Sequence, residues 1–191
     1  MKEIVLASSS PRRKELLEKL GMKFKVDPAG DEEKLALDLE PHSLAKKISM
    51  EKARSVAARH KDAVIIAADT FGLLEGHFLG KPSNEEAARK MLRALSGRSH
   101  QVITGFTVMD TRTGKTVSKS VETTVYIRQL TGAEIDAYVK TGEPLDKAGA
   151  YAIQGLGAVL VERIEGDYYN VIGLPLSALS EALKEFGVKV L

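Results

Sequence analysis

The chain has 191 residues, enough for one α/β domain burying roughly 70% of the surface its unfolded form would expose. Its 28 basic and 26 acidic residues leave a formal charge of +2, spread along the chain without a basic stripe, and Trp is absent; both features argue against a binder of nucleic-acid polymers. Without Cys there is no disulfide, thiolate zinc site or thiol nucleophile, and no apolar run reaches membrane-spanning length, so a cytoplasmic protein with no membrane partner is expected.

The first element is an apolar run, Ile4 to Ala7, which passes through Ser8, Ser9 and Ser10 into Pro11, Arg12 and Arg13. The run reads as a buried strand too short and wrongly flanked for a signal peptide. Pro11 has the fixed φ and missing N–H suited to a first helical position, which makes Ser10 the N-cap. Two readings of Ser8 to Arg13 stand. The hydroxyls, the free N–H groups of a helix start and two guanidiniums form an anion pocket, or the serines only cap the helix and the arginines are solvated. The helix runs to about Leu20, with Gly21 as a left-handed stop.

Phe24 to Val26 reads as a short strand leading to Asp31-Glu32-Glu33, a turn that suits a solvated loop more than a metal site. A second helix is predicted from His42 to about His60, with Leu44, Ala45, Ile48 and Val56 on its apolar stripe. Lys52 falls on the inward side of that stripe, where an ammonium must snorkel to water or meet an anion. Ala63 to Ala68 is continuously apolar, as in a strand covered on both faces, and ends in Asp69-Thr70. Asp69 is there either a site carboxylate beyond a strand end or an Asx-turn residue.

Leu73 to Leu79 is a hairpin around Glu75-Gly76, followed by Gly80-Lys81-Pro82, a rigid corner that suits a phosphate-facing cation or an ordinary turn. Ser83 and Glu86 form a capping box for a helix ending at Gly97. His100 to about Asp110 and Thr116 to about Arg128 form a long hairpin; His100 reads as structural, since no two histidines have metal-ligand spacing. Thr131 and Glu134 cap a short helix that stops at Gly142. The loop from Glu143 to Gly155 carries Gln154, whose amide has both a donor and an acceptor for a base edge. Ala158 to Ile164 and Tyr168 to Ile172 read as extended segments, and Pro175 opens a terminal helix.

Six motifs in order, SSSPRRKELL at 8–17, EKA at 51–53, ADT at 68–70, GKP at 80–82, LSGRSHQVITG at 95–105 and GEPLDKAGAYAIQG at 142–155, together with NVIGLP at 170–175, resemble the Maf family of nucleotide pyrophosphatases over essentially the whole chain. The resemblance implies an enzyme that hydrolyses a nucleoside triphosphate between its α and β phosphates, releasing pyrophosphate with a divalent metal, Mg²⁺ or Mn²⁺. DKAGAYAIQG resembles the branch acting on dTTP and UTP; the branch acting on N7-methyl-GTP differs at Ile153-Gln154. The resemblance places the catalytic carboxylate on Asp69 and substrate choice on Arg12, Thr70 and Gln154. Glu33, Lys52 and Lys81 fall on further charged active-site positions. Phe71-Gly72 departs from the small aliphatic residues more frequent there.

These readings combine into a site in which Asp69 and Glu33 hold the metal, Asp69 activates water, and Arg12, Arg13, Lys52 and Lys81 grip the triphosphate. Ser8, Ser9 and Ser10 cradle one phosphate and Gln154 reads the base. The fold expected is a single α/β domain over residues 1–191, of the Maf/inosine triphosphate pyrophosphatase-like type. It has a central twisted mixed sheet, helices on its faces and an active-site cleft between two lobes. A homodimer is expected by resemblance alone. The alternatives are the N7-methyl-GTP type, an orthophosphate-releasing phosphatase, and a non-enzymatic regulator of cell division.

Overall fold

The computed structural model describes residues 2–30 and 39–191. Its strands are β1 (Glu3–Leu6), β2 (Lys25–Val26), β3 (Ala63–Leu74), β4 (His77–Leu79), β5 (Ser99–Asp110), β6 (Thr116–Ile127) and β7 (Val161–Glu165). Its helices are α1 (Pro11–Glu18), α2 (Pro41–Ala57), α3 (Glu85–Leu95), α4 (Gly132–Lys140), α5 (Tyr168–Ile172) and α6 (Leu176–Lys184). The strands form one mixed sheet in the order β2-β1-β3-β5-β6-β7, with β4 paired to β3. β1 runs parallel to β2 and β3, whereas β3 with β4 and β6 with β7 are antiparallel. The chain is therefore an α/β protein with a mixed sheet flanked by helices.

Two compact units divide the chain, and β3, β5 and β6 contribute residues to both. The first unit comprises residues 1–70, 104–121 and 173–191. Here β1 pairs with β3 from Glu3↔Ala63 to Leu6↔Ile66, and successive β3 side chains point to opposite faces. Ala63, Ile65 and Ala67 pack with Ala53 and Val56 of α2, while Val64, Ile66 and Ala68 are equally buried on the other face. Burial on both sides is why this strand is apolar at every position up to Asp69.

The way α2 sits on the sheet is set by a glycine. A Cβ on Gly105 of β5 would lie 2.2 Å from the backbone carbonyl of Ala45, so helix and strand meet backbone to backbone. One turn further along α2, Ser49 Oγ is 2.8 Å from Thr107 Oγ1, and both residues are fully buried. These two contacts fix the rotation of the helix about its axis. α2 begins one residue earlier than the periodicity suggests, because Pro41 occupies its first turn, and ends at Ala57.

The second unit comprises residues 71–103 and 122–172. Its core joins the apolar faces of two helices to the strands: Ala88, Leu92 and Leu95 of α3, Ile135, Tyr138 and Val139 of α4, and Val102, Val125 and Ile127 of β5 and β6. The predicted Thr131–Glu134 capping box is present, with both reciprocal bonds made. Phe71, the departure noted in the sequence, packs edge-on against Phe78 across the β3–β4 hairpin, with centroids 5.0 Å apart.

Four local expectations are corrected. The N-cap of α3 is Asn84, not Ser83, because Asn84 Oδ1 accepts from the Ala87 N–H at 2.9 Å. The strand expected over 158–164 is a 3-10 segment, Leu156–Leu160, followed by β7. The extended piece at 168–172 is the helix α5, whose start is held by Asp167 Oδ1 accepting from the N–H groups of Tyr169 and Asn170 at 2.7 and 3.1 Å. The strand expected over 24–26 shortens to Lys25–Val26.

Candidate active site

In the first unit, β1 delivers the serine loop at the level where β3 leaves its parallel partner: Leu6 is opposite Ile66, and the Ala7 N–H still bonds to Ile66 O at 2.8 Å. Ser8 to Ser10 thus lie beyond the carboxyl end of β1, the place where open α/β sheets collect ligands. Ser10 caps α1, with Pro11 in its first turn, and the Arg13 N–H approaches Ser10 Oγ at 3.5 Å. Ser8 is buried, Ser9 exposed, and Ser10 and Arg12 half-buried.

Asp69 is not at the end of β3. The strand continues to Leu74 because its last residues pair with β4 from Gly72↔Leu79 to Leu74↔His77. What the position gives Asp69 is a face. It shares the side of Ile65 and Ala67, the side covered by α2, and Lys52 reaches it from there: Lys52 Nζ donates to Asp69 Oδ1 at 2.6 Å. Both side chains are mostly sheltered, at 20% and 23% exposure, which strengthens the pair relative to one on the open surface. The inward lysine of α2 has therefore met an anion.

Thr70, the next residue, points to the opposite face and serves another partner. Arg13 Nη2 donates to Thr70 Oγ1 at 3.0 Å, Nη1 to Ser8 Oγ at 3.3 Å and Nε to the Gly173 carbonyl at 2.9 Å. Thr104 Oγ1 lies 2.9 Å from the Thr70 hydroxyl. Gly173, at φ 126°, accepts this close approach: a Cβ there would come within 3.4 Å of Thr70 Oγ1 and 3.6 Å of Arg13 Nε. Burial pushes the Arg13 guanidinium below its usual range, while the Asp69 carboxylate acts the other way. Arg13 thus ties the serine loop to the residue following Asp69.

The second unit carries Lys81 and Gln154. The Gly149 N–H donates to the Gly80 carbonyl at 3.0 Å, joining the Gly80-Lys81-Pro82 corner to the segment that leads into Gln154. Both Lys81 and Gln154 are exposed. Gln154 is consequently not a buried amide, and any base preference it confers arises only when a ligand covers it. His100 has the structural place expected of it: it is buried, its Nε2 lies 2.9 Å from the Tyr151 hydroxyl, and the two rings meet edge to face.

Glu33 lies outside the described residues. Among the described residues no three His, Asp or Glu side chains gather as a metal cluster. A hard divalent ion is commonly held by one or two carboxylates, with phosphate oxygens and waters completing its shell, and the Asp69 carboxylate fits that donor set. Sequence reasoning passed over Thr104, Gly105 and Gly173. The only signal for the glycines was their presence in or beside apolar runs, where a glycine marks close backbone approach.

The sequence profile described as "Maf-like protein" matches residues 3–186. The chain is 50% identical over 191 residues to the dTTP/UTP pyrophosphatase of Methanosarcina mazei, covering 100% of this chain and 97% of that protein. It is 50% identical over 190 residues to the dTTP/UTP pyrophosphatase of Moorella thermoacetica, covering 100% and 98%. The corresponding protein of Dictyoglomus thermophilum is 47% identical over 191 residues, with 100% and 99% covered. A solved structure titled "The structure of the Staphylococcus aureus Ham1 protein" is similar at a TM-score of 0.48 and 18% identity, over 66% of this chain and 72% of that one. With a family profile spanning nearly every residue and relatives near half identity along their whole length, this chain belongs to the Maf family.

Proposed function

We propose that this protein is a nucleoside triphosphate pyrophosphatase that hydrolyses the α–β phosphoanhydride of dTTP and UTP, yielding the monophosphate and pyrophosphate. The observation that carries the chemistry is the Lys52–Asp69 pair on the face of β3 next to the residue held by Arg13. The near-half identity to full-length relatives named dTTP/UTP pyrophosphatase supports the choice of substrate.

Asp69 accepts a proton from the attacking water, and the Lys52 ammonium orients its carboxylate through the bond to Oδ1. The N–H groups at the start of α1 and the hydroxyls of Ser8 to Ser10 hold a phosphate, with Arg12 adding charge. Arg13 shapes this loop through its bonds to Ser8, Thr70 and Gly173. By resemblance, Lys81 supplies a further phosphate cation and Gln154 offers its amide to the carbonyl and imide edge of uracil or thymine. Asp69, with Glu33 by resemblance, would hold a Mg²⁺ or Mn²⁺ ion, which when bound neutralises charge on the polyphosphate.

Among the described residues no helix is long and apolar enough to cross a membrane. We place the enzyme in the cytoplasm with its nucleotide substrates, and we take a homodimer as its form by resemblance. The test is to incubate the full chain with UTP, dTTP, ATP, GTP and N7-methyl-GTP in Mg²⁺ or Mn²⁺. Pyrophosphate released preferentially from UTP and dTTP is expected. Orthophosphate, a preference for N7-methyl-GTP, or no product would overturn the proposal.

A further inference from the structure

We infer that Glu143 is the positioning residue for base selection, fixing the loop that presents Gln154 from both sides. This rests on the reading of Gln154 as the group that meets the base.

Gln154 is exposed, so the direction of its amide depends on the backbone that carries it. That backbone is rich in small residues, Ala152, Gly155 and Gly157, which would leave a free loop with high conformational entropy. Two anchors remove this freedom. After Gln154, the Leu156 N–H donates to Glu143 Oε2 and the Gly157 N–H to Glu143 Oε1, each at 2.9 Å. Before it, the Ala152 N–H donates to the Tyr138 hydroxyl at 3.2 Å, and that hydroxyl donates to Glu143 Oε1 at 2.8 Å. One carboxylate therefore gathers both flanks of Gln154, one directly and one through Tyr138.

The two glycines show how closely the loop lies on these side chains. A Cβ on Gly155 would fall 2.3 Å from Glu143 Oε2, and one on Gly157 would fall 2.5 Å from the Tyr138 hydroxyl. The anchor itself is held in place. The Glu143 N–H bonds to Thr141 Oγ1 at 3.2 Å, and Tyr138 is buried in the last turns of α4, whose start the capping box secures. Burial alone would favour a neutral Glu143, yet the N–H groups of Gly157 and Leu156 and the Tyr138 hydroxyl hold its carboxyl below the usual range. Three donors converge on two oxygens, which only a carboxylate can satisfy. Glutamine has the same shape but turns one of those acceptors into a donor facing a backbone N–H.

The test compares Glu143→Gln, Tyr138→Phe and Gln154→Ala in the full chain, measuring kcat and KM for UTP, dTTP, ATP and GTP, with amide hydrogen exchange at Leu156 and Gly157. For Glu143→Gln we expect KM for UTP to rise about tenfold at nearly unchanged kcat, with pyrimidine-over-purine discrimination falling by a similar factor and both amides exchanging faster. Tyr138→Phe should move the same quantities by less, and it decides the matter if Glu143→Gln does not fold. Unchanged discrimination in both variants, or an equal loss of kcat for every nucleotide, overturns the inference. If Gln154→Ala removes discrimination while Glu143→Gln keeps it, the inference alone fails. If Gln154→Ala leaves discrimination intact, the base-reading role fails, and with it the route from Glu143 through Gln154.

Discussion

The role proposed for Asp69 depends on its ability to accept a proton. Asp69→Asn keeps the size of the side chain and an oxygen for the Lys52 ammonium, but an amide is no base at neutral pH. Turnover of UTP at saturation should fall by about 10³-fold while nucleotide affinity, read by calorimetry, changes little. Near-normal turnover would remove Asp69 from the reaction. The neighbouring arginines should separate in kind. Arg13 bonds to Ser8, Thr70 and Gly173, so Arg13→Ala removes three hydrogen bonds at once and should cost about 2 kcal/mol in urea unfolding. Arg12→Ala should leave stability nearly unchanged and instead raise KM or shift substrate preference.

Among the elements, α2 carries Lys52 of the proposed site, so its placement governs the pair with Asp69. Its rotation is set where Ala45 meets Gly105 and Ser49 meets Thr107, and Lys52 lies about one turn beyond. Gly105→Ala places a Cβ into the Ala45 carbonyl, so the helix must move outward and Lys52 with it. The expected result is a loss of about 2 kcal/mol or more in stability, together with a lower kcat, measured by urea unfolding and pyrophosphate release. Thr131→Ala is the contrasting change. It removes the cap of α4 and should cost about 1 kcal/mol with kcat for UTP retained.

For the molecule as a whole, pH acts on stability through titratable groups to which the proposed reaction gives no role. Burial pushes the His100 imidazole down to about 4 from an unfolded value near 6.5. Between these values the unfolded chain binds a proton that the folded chain does not, so stability falls as pH drops from about 6.5 to about 4, by up to about 3 kcal/mol. Below that range carboxylates held down by their donors add to the loss, Asp27 and Asp110 among them. The hydrogen bonds from Arg59 and His60 hold Asp27 down to about 2, and the bond from Lys2 does the same for Asp110. Their contribution is present above the ordinary carboxylate range and is lost as pH falls towards 2. Urea midpoints measured from pH 7.5 to 4 should decline, and His100→Gln should flatten that decline; a slope unaltered by the substitution would place its origin elsewhere.

Much of this was legible in the residues themselves, because it depends on dihedral preferences and hydrogen bonds that close within a few positions. Ser10-Pro11 starts α1, Thr131 and Glu134 cap α4, and the unbroken apolar run before Asp69 marks a strand covered on both sides. Asp167 was an equally local signal for α5, and Asn84 for α3, each overlooked beside a competing pattern. Periodicity could say that Lys52 faces inward, but not what it meets. Its partner is 17 residues away, and Arg13 reaches Thr70 and Gly173 at separations of 57 and 160 residues. Such pairings depend on which strands lie side by side and on where a glycine lets a helix touch the sheet. No local preference encodes them, so the sequence by itself could name the residues of the proposed site, while the tertiary fold decided which of them meet.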